Sequence, residues 1–186
     1  LFLAAHHALF QVASIITTTG YSTVDFDKWP QLSRTIMVLL MFIGACAGST
    51  GGGIKVSRVL ILLKSVKKEL KQYLHPSAVE KIKMDGKIVE HEVVRSTNVF
   101  MVAYVLIFAV SVLLISLDEY DLVTNFTAVA ATFNNIGPGL ALVGPTGNFG
   151  FFSNFSKVVL IFDMLAGRLE IFPLLLLFSR ETWKRF

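Results

Sequence analysis

The segment from Val99 to Leu117 is mostly apolar and contains no charged side chain. A helix needs about 20 mostly apolar residues to cross a bilayer, so this segment has the length and composition of a transmembrane span. Two other segments come close to this pattern: Ile36–Leu63, which a glycine-rich run interrupts, and Val158–Phe178, which contains three charged residues. Charged residues make up 16% of the chain, whereas soluble domains average about 25%. We therefore expect a piece of a longer integral membrane protein, and neither a disordered chain nor a nucleic-acid-binding domain.

Two shorter apolar segments, Ala4–Ile16 and Val123–Phe133, are too short to cross the bilayer and fit re-entrant helices. Basic residues are concentrated between residues 64 and 95 and at the C-terminal end, which places both regions on the cytoplasmic side. The opposite loops are acidic and would concentrate cations at an outer mouth. Their acids are Asp25, Asp27, Asp118, Glu119 and Asp121.

The segment between residues 64 and 95 is predicted to be a small cytoplasmic excursion. Apolar and polar residues alternate around Asp85-Gly86 from Val79 to Val94, which predicts a β-hairpin. The lysines of this segment fit contact with the head groups of membrane lipid, and they also fit a docking surface for a cytosolic regulator.

The chain contains an internal repeat, in which Leu9–Gly20 aligns with Phe126–Gly137. Each copy is a short apolar helix followed by a strip that ends in glycine. Non-helical backbone at membrane depth survives only where protein or a water-filled cavity satisfies it. Glycine permits backbone angles that turn carbonyls toward an axis, and a ring of carbonyls replaces the hydration shell of the ion in potassium filters. Either strip alone fits an ordinary turn, but the matched pair favours a filter.

The run Gly48-Ser49-Thr50-Gly51-Gly52-Gly53 interrupts an otherwise spanning segment. Each glycine costs about 1 kcal/mol relative to alanine in a helix, so we expect the helix to break there. A phosphate-binding loop is the competing interpretation, but the G-x-x-x-x-G-K-[ST] pattern fails because Ile54 separates Gly53 from Lys55. Lys55 and Arg58 are expected to mark the cytoplasmic end of the broken helix.

Arg168 is a charge near the middle of the last apolar segment. An arginine at the bilayer centre costs about 2.5 to 3.5 kcal/mol on insertion scales, so it usually faces a protein interior or a wet cavity. It could face a pore, or it could form a structural ion pair with Asp163 or Glu170. Helical geometry puts those two acids on one face and Arg168 away from both, which disfavours a pair within this helix but leaves open a pair with another helix.

Four motifs follow one another along the chain: "ALFQVASIITTTGYSTVDFDKWP", "GACAGSTGGGIKVSRV", "FNNIGPGL" and "MLAGRLEIFPLLLLF". In this order and spacing they resemble the motifs of the Trk-type potassium uptake proteins, within the wider superfamily of Trk, Ktr and HKT potassium transporters. The resemblance implies an all-α integral membrane fold of tandem helix–pore-loop–helix repeats, four around one pseudo-fourfold pore. Residues 1–63 would be the third repeat without most of its first helix, 64–95 a cytoplasmic linker with the β-hairpin, and 96–186 the fourth repeat.

The resemblance also implies which residues bind and gate the ion. Main-chain carbonyls of the two strips would bind potassium, at Thr18, Thr19, Gly20, Asn135, Ile136 and Gly137. A gate would consist of the intramembrane glycine loop and a pore arginine, here Gly48, Gly51, Gly52, Gly53 and Arg168. Since the side chains of the strips differ, we expect Thr19→Val to matter less than Gly20→Ala.

The implied protein is a multi-pass transporter of the bacterial cell inner membrane that takes up potassium, by symport or by channel-like flow. By resemblance it is a homodimer with a peripheral, TrkA-like, nucleotide-binding regulatory subunit in the cytosol. The chain shows no catalytic motif, so we expect no enzyme, no cofactor, no nucleic-acid partner and no metal ion other than the transported K+. Two alternatives stay open: a Na+- or H+-coupled secondary transporter of another solute, and a non-conducting fragment, because two strips cannot close a fourfold ring.

Overall fold

The computed structural model describes residues 2–44, 46, 48–49, 51–75, 81–169, 171, 173 and 176. Its helices are α1 Phe2–Ile16, α2 Gln31–Phe42, α3 Val56–Leu74, α4 His91–Ile115, α5 Leu122–Phe133 and α6 Asn154–Leu169. Its strands are β1 Ile43–Gly44, β2 Ile54–Lys55, β3 Lys83–Met84 and β4 Lys87–Ile88. Short 3-10 turns cover Phe26–Lys28, Ser116–Asp118 and Ala141–Val143.

The uncharged segment is confirmed as a long helix, formed by α4 and the 3-10 turn that follows it. His91–Asp118 is the one helical segment in the described part of the chain that is long and apolar enough to cross a membrane. Helix α6 covers the first part of the predicted span Val158–Phe178. The rest of that span, apart from three single residues, lies outside the described residues, as do Arg180, Lys184 and Arg185.

The two short apolar segments are confirmed as short helices. Helix α1 ends at Ile16 and helix α5 ends at Phe133, each immediately before the strip that the repeat places there. Neither helix is long enough to cross a bilayer.

The predicted break of the helix within Ile36–Leu63 is confirmed, and the break is wider than the glycine run. Helix α2 already ends at Phe42, and α3 begins only at Val56. Between them, β1 and β2 pair in parallel, with Ile43 opposite Ile54 and Gly44 opposite Lys55. The ends of the loop are therefore held together by backbone pairing, which widens the break beyond the glycines. Within this loop, Ala45, Ala47 and Thr50 lie outside the described residues.

The segment between residues 64 and 95 contains an antiparallel pair of two-residue strands, β3 and β4, with Lys83 opposite Ile88. Asp85 and Gly86 connect them with φ angles of 50° and 78°, the left-handed pair that a type I′ turn requires. The ladder is shorter than the alternation predicted from Val79 to Val94, because helix α4 begins at His91. Residues 76–80 lie outside the described residues.

Helix α5 lies at the centre of the structure, packed against α2, α4 and α6. Every residue from Thr127 to Phe133 is buried. Its alanines allow neighbouring backbones to approach closely, which is typical of helix packing in membranes. One face contributes Ala130 to a cluster with Ile15, Met37 and Met41, which joins the two halves of the repeat.

The N-terminal end of α5 is capped by Asp121, in the acidic loop outside the spans. Its carboxylate accepts hydrogen bonds from the Thr124 amide at 3.0 Å and from the Thr124 hydroxyl at 2.5 Å. These bonds, with the side-chain bond as the larger cause, hold the pKa of the Asp121 carboxyl below its ordinary value.

We expect Asp121→Ala to destabilise α5 by about 1 kcal/mol, the typical loss for an N-cap. A depressed pKa stabilises the fold above the ordinary carboxyl pKa, so the difference from the unsubstituted protein should shrink as the pH falls through the lowered value. Amide hydrogen exchange of α5 at several pH values measures it. Asp121→Asn is the matched control, since an asparagine side chain caps well and does not titrate. A stability difference between the unsubstituted protein and this control that stays the same at every pH would contradict the prediction.

Candidate functional site

The two strips, here called the first strip (Thr17–Gly20) and the second strip (Asn134–Gly137), have matching backbones. Thr18 and Asn135 occupy the same position in the repeat, and both have a φ angle of 54°. The terminal glycines are also left-handed, with φ of 79° in the first strip and 111° in the second. Non-glycine residues rarely adopt positive φ, so the match is a property of the repeat and not of either sequence alone.

Matching hydrogen bonds end the helix before each strip. The Thr19 amide donates to the Ser14 carbonyl at 2.9 Å, and the Ile136 amide donates to the Ala131 carbonyl at 2.8 Å. With the left-handed residue just before the donor, this is the Schellman arrangement that stops a helix. The carboxyl ends of α1 and α5, which carry partial negative charge, therefore both point at their strips.

The two strips lie side by side. A Cβ atom added to Gly20 would lie only 2.2 Å from the Ile136 carbonyl oxygen, and one added to Gly137 would lie 4.0 Å from the Gly20 Cα. Only a residue without a side chain can therefore occupy position 20 while the second strip keeps its place. The structure thus brings together the six strip residues that the sequence singles out.

The carbonyls of both strips are available to a ligand. The carbonyls of Thr18, Thr19, Asn135 and Ile136 accept no hydrogen bond from the described part of the chain. Thr19 is exposed and Thr18 and Asn135 are partly exposed, so water or a ligand can reach their carbonyls. The strips line a common cavity of about 570 Å³, whose other wall includes Leu160, Ile161 and Met164 of α6.

Side chains of the short helix tie the first strip in place. The buried Gln11 amide donates to the Ser22 hydroxyl at 3.0 Å and to the Val24 carbonyl at 3.1 Å. The Ser14 hydroxyl donates to the Tyr21 carbonyl at 2.6 Å. These bonds fold the chain that follows the strip back against α1.

The second strip is tied to α5 and α6. The Thr127 hydroxyl accepts a hydrogen bond from the Leu140 amide at 3.0 Å. The Asn135 side-chain amide donates to the Met164 carbonyl at 3.0 Å. Gly167 approaches the same region so closely that an added Cβ would lie 1.8 Å from the Phe133 carbonyl oxygen. Helix α6 therefore packs directly against the start of the second strip.

The glycine loop (the segment Gly48–Gly53) contacts the second strip. A Cβ atom on Gly52 would lie 2.3 Å from the Asn134 carbonyl oxygen, and one on Gly53 would lie 3.2 Å from the Asn134 side-chain oxygen. Gly48 has nothing within 4 Å of an added Cβ. Gly52 and Gly53 therefore form the contact, while Gly48 lies apart from it.

Arg168 lines a second cavity, of about 380 Å³, here called the arginine cavity. Gly51 and Gly53 line it from the glycine loop, so the structure brings these two glycines and Arg168 together. Lys55 and Arg58 also line it. These two cations share a cavity with Arg168, although the sequence assigned them to the end of a helix.

The ion pair between Arg168 and Asp163 does not form among the described residues. The buried Asp163 carboxylate instead accepts a hydrogen bond from the Ser111 hydroxyl of α4 at 2.6 Å. Glu170, the other candidate partner, lies outside the described residues.

The outer acids also make local contacts, while their role of concentrating cations stays a prediction. Asp25 pairs with Lys28 at 3.3 Å, and Asp27 pairs with Arg34 at 2.9 Å. Asp118 accepts a hydrogen bond from the Ser153 amide at 2.8 Å. With the capping role of Asp121, four of the five predicted acids serve the local fold.

Sequence reasoning missed the residues that hold the strips. Gln11, Thr127 and the Asn134 side chain are polar groups inside apolar helices or at their ends, and this isolation is a signal that could have identified them. Gly167 is a further case, because its close contact with Phe133 depends on a helix far away in the sequence.

Known proteins resemble this chain over almost its whole length. The profile of the TrkH family, described as "Cation transport protein", matches residues 3–185. The chain belongs to the TrkH family. It is 42% identical to the Trk system potassium uptake protein TrkH of Salmonella typhimurium, over 96% of this chain and 37% of that protein. It is 38% identical to TrkG of Escherichia coli, over 96% of this chain and 36% of that protein.

A solved TrkH structure has the same fold. The crystal structure of the potassium transporter TrkH from Vibrio parahaemolyticus matches with a TM-score of 0.85 and 45% identity, over 95% of this chain and 37% of that one. The chain therefore spans little more than a third of the length of the TrkH proteins that it matches.

We expect Gly20→Ala to destabilise the protein more than Gly86→Ala does. Both glycines have φ near 79°, but no atom lies within 4 Å of a Cβ on Gly86. Gly86→Ala thus measures the backbone cost alone, about 1 to 2 kcal/mol, while Gly20→Ala adds a backbone clash of about 1 to 3 kcal/mol. Thermal unfolding in detergent measures both, with Thr19→Val as a strip variant that keeps the backbone; equal losses in the two alanine variants would contradict the prediction.

Proposed function

We propose that this chain supplies two of the four repeats of a potassium uptake pore, the third in residues 1–63 and the fourth in residues 96–186, joined by the linker 64–95. The observation that carries the proposal is the pair of adjacent strips with matching backbones and unpaired carbonyls. The names of the relatives, which are potassium uptake proteins, support K+ as the ion.

The strips act as half of a selectivity filter. Carbonyl oxygens at Thr18, Thr19, Asn135 and Ile136 replace water around K+, and Gly20 and Gly137 supply the backbone angles that the strips need. The carboxyl ends of α1 and α5 add a favourable field for a cation. The missing carbonyls come from the part of the protein that this chain does not include.

The arginine cavity acts as the gate. The glycine loop contacts the second strip through Gly52, and Gly51 and Gly53 share a cavity with Arg168. A fixed positive charge in a region of low dielectric raises the energy of a passing K+. Displacement of the loop or of the Arg168 side chain then opens the pathway.

The complete protein is proposed to be a homodimer in the bacterial inner membrane, regulated by a nucleotide-binding subunit of the TrkA type. The term "Trk system" in the names of the relatives supports a multi-component assembly. The lysine-rich α3 and the strands β3 and β4 provide a basic surface on the side that the positive-inside rule makes cytoplasmic.

The filter is tested with Gly137→Ser in the full-length protein. At a φ of 111° serine is strained, although space for its Cβ exists, so the strip carbonyls should shift while the packing stays intact. We expect a strain without its own potassium uptake to grow well on low K+ with the unsubstituted protein and poorly with the variant. Uptake should lose roughly tenfold in preference for K+ over Na+, equivalent to about 1.4 kcal/mol.

Gly86→Ser is the matched control, with left-handed φ in the cytoplasmic turn, and it should keep the selectivity. If the unsubstituted protein is expressed with its partner and supports no K+ uptake, the potassium assignment fails. If K+ uptake saturates and requires a co-ion, the coupled-transporter alternative gains over channel-like flow.

The gate is tested with Arg168→Ala. Removal of the positive charge should raise Rb+ flux into vesicles about tenfold. This increase corresponds to an energy barrier that is lower by about 1.4 kcal/mol. Arg168→Lys keeps the charge and should leave flux within about twofold, which separates the charge from the shape of the side chain. Unchanged flux in Arg168→Ala at equal protein content would contradict a barrier at this position.

A further inference from the structure

A buried hydrogen bond joins the start of the second strip to helix α4. The Tyr104 hydroxyl donates to the Asn134 side-chain oxygen at 2.6 Å. Asn134 is fully buried and Tyr104 is 5% exposed. A bond between two such groups is costly to break, because each partner would be left unpaired away from water.

Asn134 is held on its other sides as well. Its side-chain NH₂ donates to the Ala130 carbonyl at 2.8 Å, so both ends of the amide are bonded and its orientation is fixed. Its backbone carbonyl faces Gly52, and its side-chain oxygen faces Gly53. One residue therefore touches α4, α5 and the glycine loop, and it directly precedes Asn135 of the strip.

We propose that Tyr104 is a positioning residue: it fixes the Asn134 side chain and thereby determines the position of the second strip and of the glycine loop that contacts it. The inference rests on the proposed function, which assigns filter and gate to these segments. It adds a side chain of α4 that does not bind the ion and that acts on the filter and the gate through Asn134. Loss of its hydroxyl frees the amide of Asn134 to rotate, and the carbonyls of the strip lose their fixed placement.

Tyr104 also faces the arginine cavity. Tyr104 and Phe100 line that cavity, and their ring centroids are 6.1 Å apart. The guanidinium carbon of Arg58 lies 3.9 Å from the centroid of the Phe100 ring. A continuous set of contacts thus runs from α3, which follows the glycine loop, through the aromatic pair to Asn134.

The first strip makes only part of this arrangement. Thr17 occupies the position of Asn134 in the repeat, and its hydroxyl donates to the Ala13 carbonyl at 2.7 Å, as the Asn134 amide does to Ala130. The bond to the preceding helix is therefore common to both strips. The bond to Tyr104 acts on the second strip, the one that contacts the glycine loop.

The test is Tyr104→Phe in the full-length protein, reconstituted in vesicles, with Rb+ and Na+ fluxes measured together. The ring and its packing stay, but the buried Asn134 oxygen loses its partner, so the unfolding temperature should fall moderately, and the flux ratio is the readout that decides the positioning role. We expect the Rb+ to Na+ flux ratio to fall about threefold to tenfold. The matched control is Tyr120→Phe. Its hydroxyl donates to the Phe151 carbonyl at 3.0 Å, and neither residue belongs to the strips. The flux ratio of this control should stay within twofold of that of the unsubstituted protein.

A second variant keeps the test decisive if Tyr104→Phe gives little protein. Asn134→Ser shortens the side chain so that it no longer reaches Tyr104, and it should lower the flux ratio similarly. The double variant should be no worse than the worse single variant, because both remove the same bond.

The outcomes separate this inference from the proposed function. If the unsubstituted protein carries no Rb+, the proposed function fails. If it carries Rb+ selectively and Tyr104→Phe matches Tyr120→Phe in flux ratio, or if the effects of Tyr104→Phe and Asn134→Ser simply add, the positioning role is overturned and the pore assignment stands.

Discussion

The close approach of glycine backbones to carbonyl oxygens is the contact on which the rest of the structure depends. Gly20 lies against Ile136, Gly52 against Asn134 and Gly167 against Phe133, each at a distance that leaves no room for a Cβ atom. Three separate segments thereby converge on the residues from Phe133 to Ile136. Side chains at these positions would hold the segments apart, and neither the common cavity of the strips nor the contact between glycine loop and second strip could form. The glycines thus determine which backbone atoms meet.

This convergence also explains how polar backbone is maintained in an apolar chain. The strip amides are satisfied by carbonyls of the preceding helix turn, so what remains unpaired is carbonyl oxygen alone. Such a segment is favourable in a membrane only beside a cation or water. The surrounding side-chain bonds of Gln11, Ser14 and Thr127 hold the following chain without using the strip carbonyls. The hydrogen bonds that end each short helix therefore use the strip amides and leave the strip carbonyls free for the proposed ion binding.

Sequence reasoning predicted the features that depend on local pattern. The ends of α1 and α5 follow from apolar runs that stop at Ile16 and Phe133, and the positive φ of Gly20 and Gly137 follows from the repeat. It failed where distant contacts decide. Helix α2 ends at Phe42, directly before the residues of β1 that pair with β2 from beyond the glycine run. No periodic pattern in the sequence predicts the hydrogen bond between Tyr104 and Asn134, because that bond depends on how α4 packs on α5.

The positions of the arginine cavity and of the strips are linked by neighbouring residues. Gly167 is fixed against the Phe133 carbonyl, and Arg168 is the next residue, so the proposed barrier stands one residue from a backbone contact with the second strip. Arg58, which also lines the cavity, lies over the Phe100 ring, where an aromatic face stabilises a cation. Arg168 and Arg58 are thus held by different elements, α6 and α3. A movement of α3 would change the distance between these charges while Gly167 keeps Arg168 beside the strip, so in the proposed pore the field that opposes K+ depends on α3 as well as on α6.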